Sequence, residues 1–453
     1  VDEFGIRANA QVNNVGLFVQ DSWTPHSRLT LNLGLRAEQE RVPSYATEPG
    51  EDEHAIDFGF GDKLAPRLGF AWDPKGDGRW KVYGSWGLYY DIMKIDMPLG
   101  SFGAEWWTQR RYSLDTFDWP SIGVNDRFPG TLYEELDYSA DRANDPEDYR
   151  IEPDLEPMRM REMTLGLEHE LSRDTVLAAR YVRKRLDQAV EDVGILVPGR
   201  GGVYFIANPG FGIAEYPVGE DYPALPKARR DYDALELSAR RRMSGGWAFY
   251  GSYVWSRLYG NYSGLVGSDE LGRASPNHLR AFDGHMMNFD ENAQPVYGNL
   301  ATDRPHQFKA QGIVALPVGT LLSGKFYVAS GTPVSRYVGL NGTPMFYLGR
   351  VSDGRTPVYS QTDFYIEHDF QLGGGRRLQL SLNILNLFDQ DTVTGRVSEE
   401  TWDDVYVGRD EFFRGIDVQW LIEEQDTFRN PYFLMDWRYQ APREVRIGVK
   451  FLF

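Results

Sequence analysis

Few side chains of this 453-residue sequence stand at spacings that could do chemistry. His278 and His285 share one segment with Asp269, Asp283 and Asp290. Imidazole and carboxylate together can ligate a metal, but no recognised ligand spacing joins them, and loop histidines of this kind are ordinarily solvated. The adopted reading is no metal and no cofactor. Asp73, Asp77 and Gly78 in DPKGDG are reminiscent of a calcium loop and are better explained as a turn. Asp363, Glu367 and Asp369 fall on one face of an alternating segment whose other face carries Phe364, Ile366 and Phe370. They read as the polar lining of a lumen, with a hydrolytic carboxylate pair as the remote alternative. HExxH, GxSxG, P-loop and zinc-ribbon patterns are missing, so no enzyme class is indicated.

Recognition is better represented than catalysis. AEWWTQRRY sets Trp106 and Trp107 beside Arg110 and Arg111. A second stretch, ETWDDVYVGRDEFFRGIDVQWLIEE, sets Trp402, Tyr406, Phe412, Phe413 and Trp420 among acids. Aromatics next to charges can stack on a peptide, a sugar or a flat chelate. The competing reading is that long loops need small cores of their own, or pack on neighbouring proteins. Acidic runs such as EDEHAIDFGFGD are ordinarily solvated faces.

The elements that must carry these loops are strands. Val445, Ile447, Val449, Phe451 and Phe453 are apolar at every second position up to the last residue, and Leu29, Leu31, Leu33 and Leu35 alternate in the same way. A period of two is a strand with one greasy face. Such segments place strands near 13–24, 28–42, 63–73, 79–92, 157–172, 175–185, 230–243, 247–258, 306–317, 321–335, 355–372, 376–389 and 440–453. No apolar run approaches the roughly 18 to 20 residues that a membrane helix needs. The net charge of −18 argues against nucleic acid, whose phosphates call for a basic face. Cysteine is absent, which fits an envelope protein that dispenses with disulfides.

Connections between the strands alternate too. TPHS, DPKGDGR, SRD, MSGG, PVGT and GGGR are tight turns. The intervening connections, near 43–62, 93–156, 186–229, 259–305, 336–354 and 390–439, are long. Short turns at one rim and long loops at the other are the signature of a transmembrane β-barrel. Trp23, Trp72, Trp80 and Trp247 each lie close to a short turn with the parity of their strand's apolar face, as an aromatic girdle at the periplasmic headgroups requires. Asp21 shares that outward parity, so a bulge, or a position beyond the hydrocarbon, is expected there.

GLFVQDSW (16–23), LTLNLGLRAE (29–38), LAPRLGFAWDP (64–74), DYDALELSARRRMSGGWAFYGSYVWS (231–256), DRPHQF (303–308) and ILNLFD (384–389) together, in this order, resemble the barrel of TonB-dependent outer-membrane receptors. The Oar-like branch, whose members usually carry an N-terminal carboxypeptidase-regulatory-like domain, is the nearest in appearance. The resemblance covers nearly all the strands and none of the long loops. It implies an antiparallel transmembrane barrel of 22 strands around a plug. About thirteen of those strands fall in this chain, which would form residues 1–453 of the barrel's C-terminal part, with the plug and the first strands outside it. VDEFGIRANAQ is then expected to be the tail of an extracellular loop.

The implied function is movement of a ligand across the outer membrane of a Gram-negative-type cell, energised by TonB and its inner-membrane complex through the plug. Implied partners are outer-membrane lipid, the barrel-assembly machinery, for which Phe451 and Phe453 resemble the C-terminal signal, and other envelope proteins. The C-terminus would be periplasmic. A structural or interaction barrel that docks partners through its loops without transport is the alternative, and a passive porin fits the large aromatic loops less well.

Overall fold

The computed structural model describes residues 2–6, 11–43, 54–93, 105–113, 118, 130–137, 151–197, 201–215, 222–263 and 282–453. Thirteen long strands pair in chain order, each antiparallel to the one before it. They are β1 (Asn13–His26), β2 (Leu29–Pro43), β3 (His54–Trp72), β4 (Trp80–Tyr90), β5 (Arg159–Ser172), β6 (Thr175–Gln188) and β7 (Arg230–Ser244). The series continues with β8 (Trp247–Gly260), β9 (His306–Leu316), β10 (Thr320–Ala329), β11 (Tyr359–Gly373), β12 (Arg376–Leu385) and β13 (Glu444–Leu452). A two-residue strand, Gly298–Asn299, adds a rung to β8. The sheet does not close: β1 and β13 each keep one edge unpaired.

Every strand places alternate side chains on opposite faces, and the ladder keeps the faces consistent from strand to strand. Leu235, Leu237, Trp247, Phe249, Phe308, Val314, Leu380, Ile447 and Val449 lie on the outward, exposed, apolar side. Ile447 is 79% exposed and Val449 70%, values that a soluble sheet avoids and lipid accommodates. Turns between β1–β2, β3–β4, β5–β6, β7–β8, β9–β10 and β11–β12 are short and share one rim. At 245–246 both glycines have positive φ, 60° and 81°, the backbone that a two-residue hairpin turn demands.

The longer connections contain structure that no strand period announces. Asp2–Ile6 pairs with Glu105–Tyr112, which pairs with Leu132–Asp137, so the chain's first described residues join the sheet of a loop at the other rim. Glu191–Val197 and Gly201–Ala207 form a hairpin. Val338–Leu340 pairs with Thr343–Met345, and Val393–Arg396 with Asp436–Tyr439. Two short helices, α1 (Arg409–Phe412) and α2 (Val418–Glu424), lie in the last loop.

β3 starts at His54, well before the expected position near 63. The register against β2 slips between Glu38↔Lys63 and Glu40↔Phe58 by an odd number of residues, and an odd slip turns side chains to the other face. Leu64 and Leu68 therefore face outward, whereas Ile56 and Phe58 point inward and are buried with Val42. The ladder runs regularly through Asp21↔Leu33, and the irregularity expected there lies between Trp23 and His26.

Candidate functional site

Below the loop rim the inward face is a ladder of paired charges. Lys81 meets Glu168 at 3.5 Å, Lys184 meets Glu162 at 2.8 Å, and Arg180 pairs with Glu236. On β11, Asp369 binds Arg377 at 3.0 Å and Gln379 at 2.9 Å, Glu367 accepts the Tyr365 hydroxyl at 2.7 Å, and Asp363 accepts from Gln361 and the Asn386 backbone. Each of the three carboxylates is engaged by a neighbour, as the polar lining of a lumen requires. A cavity of about 850 Å3 opens against the inward side of β1–β4, with Gln20, Asn32, Arg36, Arg67, Lys81 and Tyr83 among its lining. A smaller one, about 460 Å3, lies over β9–β11 between Arg304, Lys309, Lys325, Tyr327 and Tyr359.

Where the strands enter the loops, buried polar residues act as clamps. Lys63 donates to Glu40 at 2.7 Å with both side chains fully buried, and also to the Asp91 carbonyl at 3.0 Å, while Glu40 accepts from the Met93 backbone. Asp303, 1% exposed, accepts from the Leu258 amide, the Asn299 side chain and Arg355. Asn386 has a positive φ of 51° and donates to the carbonyls of Gln390 and Ala441. Asp303 and Asn386 belong to the DRPHQF and ILNLFD stretches, whose polar residues are thus explained by loop anchoring.

Two apolar cores sit at this rim. The first joins Val42, Ile56, Phe58 and Leu186 from inward strand positions, and Met158 just before β5, to Val190, Val193, Tyr262 and Phe282 from the loops. It therefore lies on the lumen side of the strand ends. The second, made of Phe289, Val338, Leu340, Met345, Val405, Phe412, Val418, Leu421 and Ile422, belongs to the loops alone. Beside it Glu400 accepts from the Tyr347 hydroxyl at 2.6 Å, Gln419 at 2.9 Å and Arg429 at 2.9 Å. Burial, reinforced by this bond, pushes the Tyr347 hydroxyl up to about 12. The loops between β8 and β13 thus fold into a unit with its own hydrophobic centre and polar hub.

The sequence-predicted residues divide accordingly. Phe412 is fully buried and Phe413 packs on Phe289, His285 and Tyr222, so both belong to the loop core. Trp402, Tyr406 and Trp420 are exposed, at 51%, 64% and 51%. Trp402 lies against Phe428 and Tyr432, with ring centroids 5.4 and 6.0 Å away. Those two partners come from a segment that gave no alternating signal, and only its aromatic content, FRNPYF, marks it. Arg110 and Arg111 pair across the loop sheet with Glu135 at 2.8 Å and Glu134 at 2.7 Å. Trp106 and Trp107 occupy the strand Glu105–Tyr112, and their side chains lie outside the described residues.

His285 is a core residue: it packs on Phe289 and Phe413 and hydrogen-bonds the Pro223 carbonyl at 2.8 Å. Burial, aided by nearby Arg409, pushes it down to about 4. Asp269 and His278 lie outside the described residues, and no cluster of metal-ligating groups occurs among the described ones. Asp73 accepts from the amides of Lys75, Gly76 and Gly78, closing the turn as expected. Trp23, Trp72, Trp80 and Trp247 all stand by the short-turn rim on the outward side, and Trp80 stacks on His169 at 3.9 Å. Phe451 and Phe453 are exposed, the latter at 98%.

Comparison with known proteins agrees with this geometry. The TonB-dependent transporter Oar of Myxococcus xanthus is 28% identical over 506 aligned positions, covering all of this chain and 44% of its own length. Among solved structures, the outer membrane transporter YddB from Escherichia coli matches with TM-score 0.50 and 14% identity over 85% of this chain and 42% of that one. The ferric-catecholate import receptor Fiu from K12 E. coli matches with TM-score 0.46 and 11% identity, over 98% and 45% of the two chains. The chain spans less than half the length of these relatives. The model of the outer membrane beta barrel domain family matches residues 3–339, three quarters of the sequence, and the alternation of an apolar outward face with a charged inward one is what that family requires: the chain belongs to the outer membrane β-barrel family.

Proposed function

We propose that the chain is barrel wall and outer cap of a transporter that moves a ligand across the outer membrane on energy delivered by TonB and its inner-membrane complex. The observation that carries this reading is the combination of a charged inward wall with loops folded into apolar cores over its outer end. A passive pore has no use for so well packed a cover. Likeness to the TonB-dependent transporter Oar supports energised transport specifically. Under this reading the chain supplies thirteen strands of a larger barrel of 22, whose plug and remaining strands lie outside it. Its short turns and C-terminus face the periplasm, and it has no catalytic activity of its own.

Trp402, Tyr406 and Trp420 then offer a recognition surface to ligand or partner, as do Trp106, Trp107, Arg110 and Arg111 on the first large loop. Phe451 and Phe453 address the chain to the barrel-assembly machinery. Trp23, Trp72, Trp80 and Trp247 anchor the periplasmic headgroup level. The experiment compares culture medium and periplasm by mass spectrometry in wild-type cells, cells lacking the full-length protein, and cells lacking TonB. Transport predicts that the compounds displaced by the deletion are displaced equally by loss of TonB. A deletion phenotype that persists unchanged whether TonB is present or not supports the alternative, an envelope scaffold whose loops only dock other proteins.

A further inference from the structure

The polarity of the wall inverts at a definite height. Through the span, apolar side chains face outward and ion pairs inward; near the loop rim the inward positions Met158 and Leu186 join an apolar core, and the outward positions become charged. On β5 the outward series Leu171, Leu167, Leu165 and Met163 gives way to Arg161 and Arg159. Leu177, Ala179 and Tyr181 give way to Arg183 and Arg185 on β6, and Phe249, Tyr253 and Trp255 give way to Arg257 on β8. These positions are contiguous across four strands, because Arg161 faces Arg185, Arg183 faces Asp233 and Asp233 faces Arg257.

Six arginines, counting Arg229 at the foot of β7, share this belt with three aspartates and with Glu156, which lies 3.7 Å from Arg159, in a chain whose net charge is −18. Asp187 is bridged by Arg161 at 2.6 Å and Arg159 at 3.7 Å, Asp231 by Arg229 at 2.7 Å and Arg185 at 4.0 Å, and Asp233 by Arg183 at 3.7 Å. Arg257 makes no ion pair among the described residues and lies over the Tyr259 ring at 4.2 Å, which Arg229 also faces at 5.1 Å. The aspartates hold the guanidinium groups in a row without cancelling them. Such a row just beyond an apolar band lies at headgroup depth, where long cationic side chains reach toward anionic groups. Guanidinium forks match phosphate oxygens two at a time.

We propose that the outward arginine belt of β5–β8 is a docking surface for phosphate-bearing lipid headgroups of the outer leaflet. The proposal rests on the reading above that the loop rim faces outward. At the opposite rim the outward Arg241 lies over Trp247 at 4.2 Å, 4.0 Å from Asp174, with no second arginine pairing to that aspartate among the described residues, and serves as the internal control.

The full-length protein is exchanged from detergent into mixed micelles, and lipid carried per protein is counted by native mass spectrometry. The probes are a bisphosphorylated glucosamine lipid (lipid A) and the same lipid after phosphatase treatment. The expected result is at least tenfold more bound bisphosphorylated than dephosphorylated lipid, falling to near parity in Arg161→Gln/Arg183→Gln/Arg257→Gln and unchanged in Arg241→Gln. Equal retention of the two lipids by the unaltered protein overturns the proposal without recourse to any variant, and so does undiminished selectivity in the heat-modifiable triple variant. Micelle binding is independent of which rim faces the medium. Failure of the belt is therefore read separately from failure of the outward assignment, which is tested by labelling an exposed loop residue on intact cells.

Discussion

Asn386 shows how a single side chain decides whether a long loop is a rigid surface. It leaves β12 in left-handed backbone and ties the first turn of the loop to Gln390 and its return to Ala441. Asn386→Ala deletes these part-buried bonds, at about 0.5 to 1.5 kcal/mol for each. Limited proteolysis should cut 390–440 markedly faster in this variant, while the heat-modifiable band of the folded barrel persists; an unchanged cleavage rate would show that the clamp is dispensable. His285 gives a pH dependence. Its folded value lies below the usual 6.5, so the unfolded loop binds the extra proton first, and stability present at neutral pH is lost as pH falls from about 6.5 to about 4. That loss amounts to about 3 kcal/mol. Fluorescence of the exposed Trp402 and Trp420 should report loosening of the loop unit across that window, and His285→Phe should flatten the response. From sequence, His285 looked like a solvated loop residue because nothing in its neighbourhood shows a period; its burial comes from Phe413, far along the chain.

At the level of the strand, the closing segment makes the sharpest claim. Val449 faces outward opposite Leu380, and Lys450 faces inward opposite Gln379. A charge on the lipid side near the midplane costs roughly 2 to 4 kcal/mol. Val449→Arg should therefore deplete membrane-inserted protein in a fractionation assay, and Lys450→Gln should leave it near the unaltered level. Equal losses would mean that the faces are assigned wrongly. The strands themselves were legible because a period of two survives in any one-sided sheet, and all thirteen overlap the segments where alternation places them, although β3 begins at His54 rather than near 63 and β10 ends at Ala329 rather than near 335. What alternation could not reveal is the slip between β2 and β3, since Ile56 and Phe58 keep the parity of Leu64 and Leu68 while facing the opposite way. Loop cores were illegible for a related reason: Val338, Val405 and Ile422 meet through long-range packing that leaves no local pattern. Breaking the buried pair at the slip tests its weight. Lys63→Met would strand the Glu40 carboxylate, at about 3 to 5 kcal/mol, and should lower the unfolding temperature of the barrel on a gel, whereas Lys81→Met at a partly exposed pair should change it little.

For the molecule as a whole, the account holds that one rim of an outer-membrane barrel carries folded loops toward the medium and the other carries short turns toward the periplasm. Loop cores on the lumen side, the charged wall beneath them and the arginines outside all take their meaning from that orientation. The chain has no cysteine, so an introduced thiol is the one its 453 residues carry, and the unaltered full-length protein supplies the labelling background. Glu424→Cys on α2 and Lys75→Cys in the β3–β4 turn, each in the full-length protein, place one thiol at either rim. Intact cells are treated with a membrane-impermeant maleimide and compared with cells whose outer membrane has been permeabilised. With the loops toward the medium, Glu424→Cys is labelled in both and Lys75→Cys only after permeabilisation. Labelling of Lys75→Cys on intact cells, with Glu424→Cys protected, would contradict that orientation.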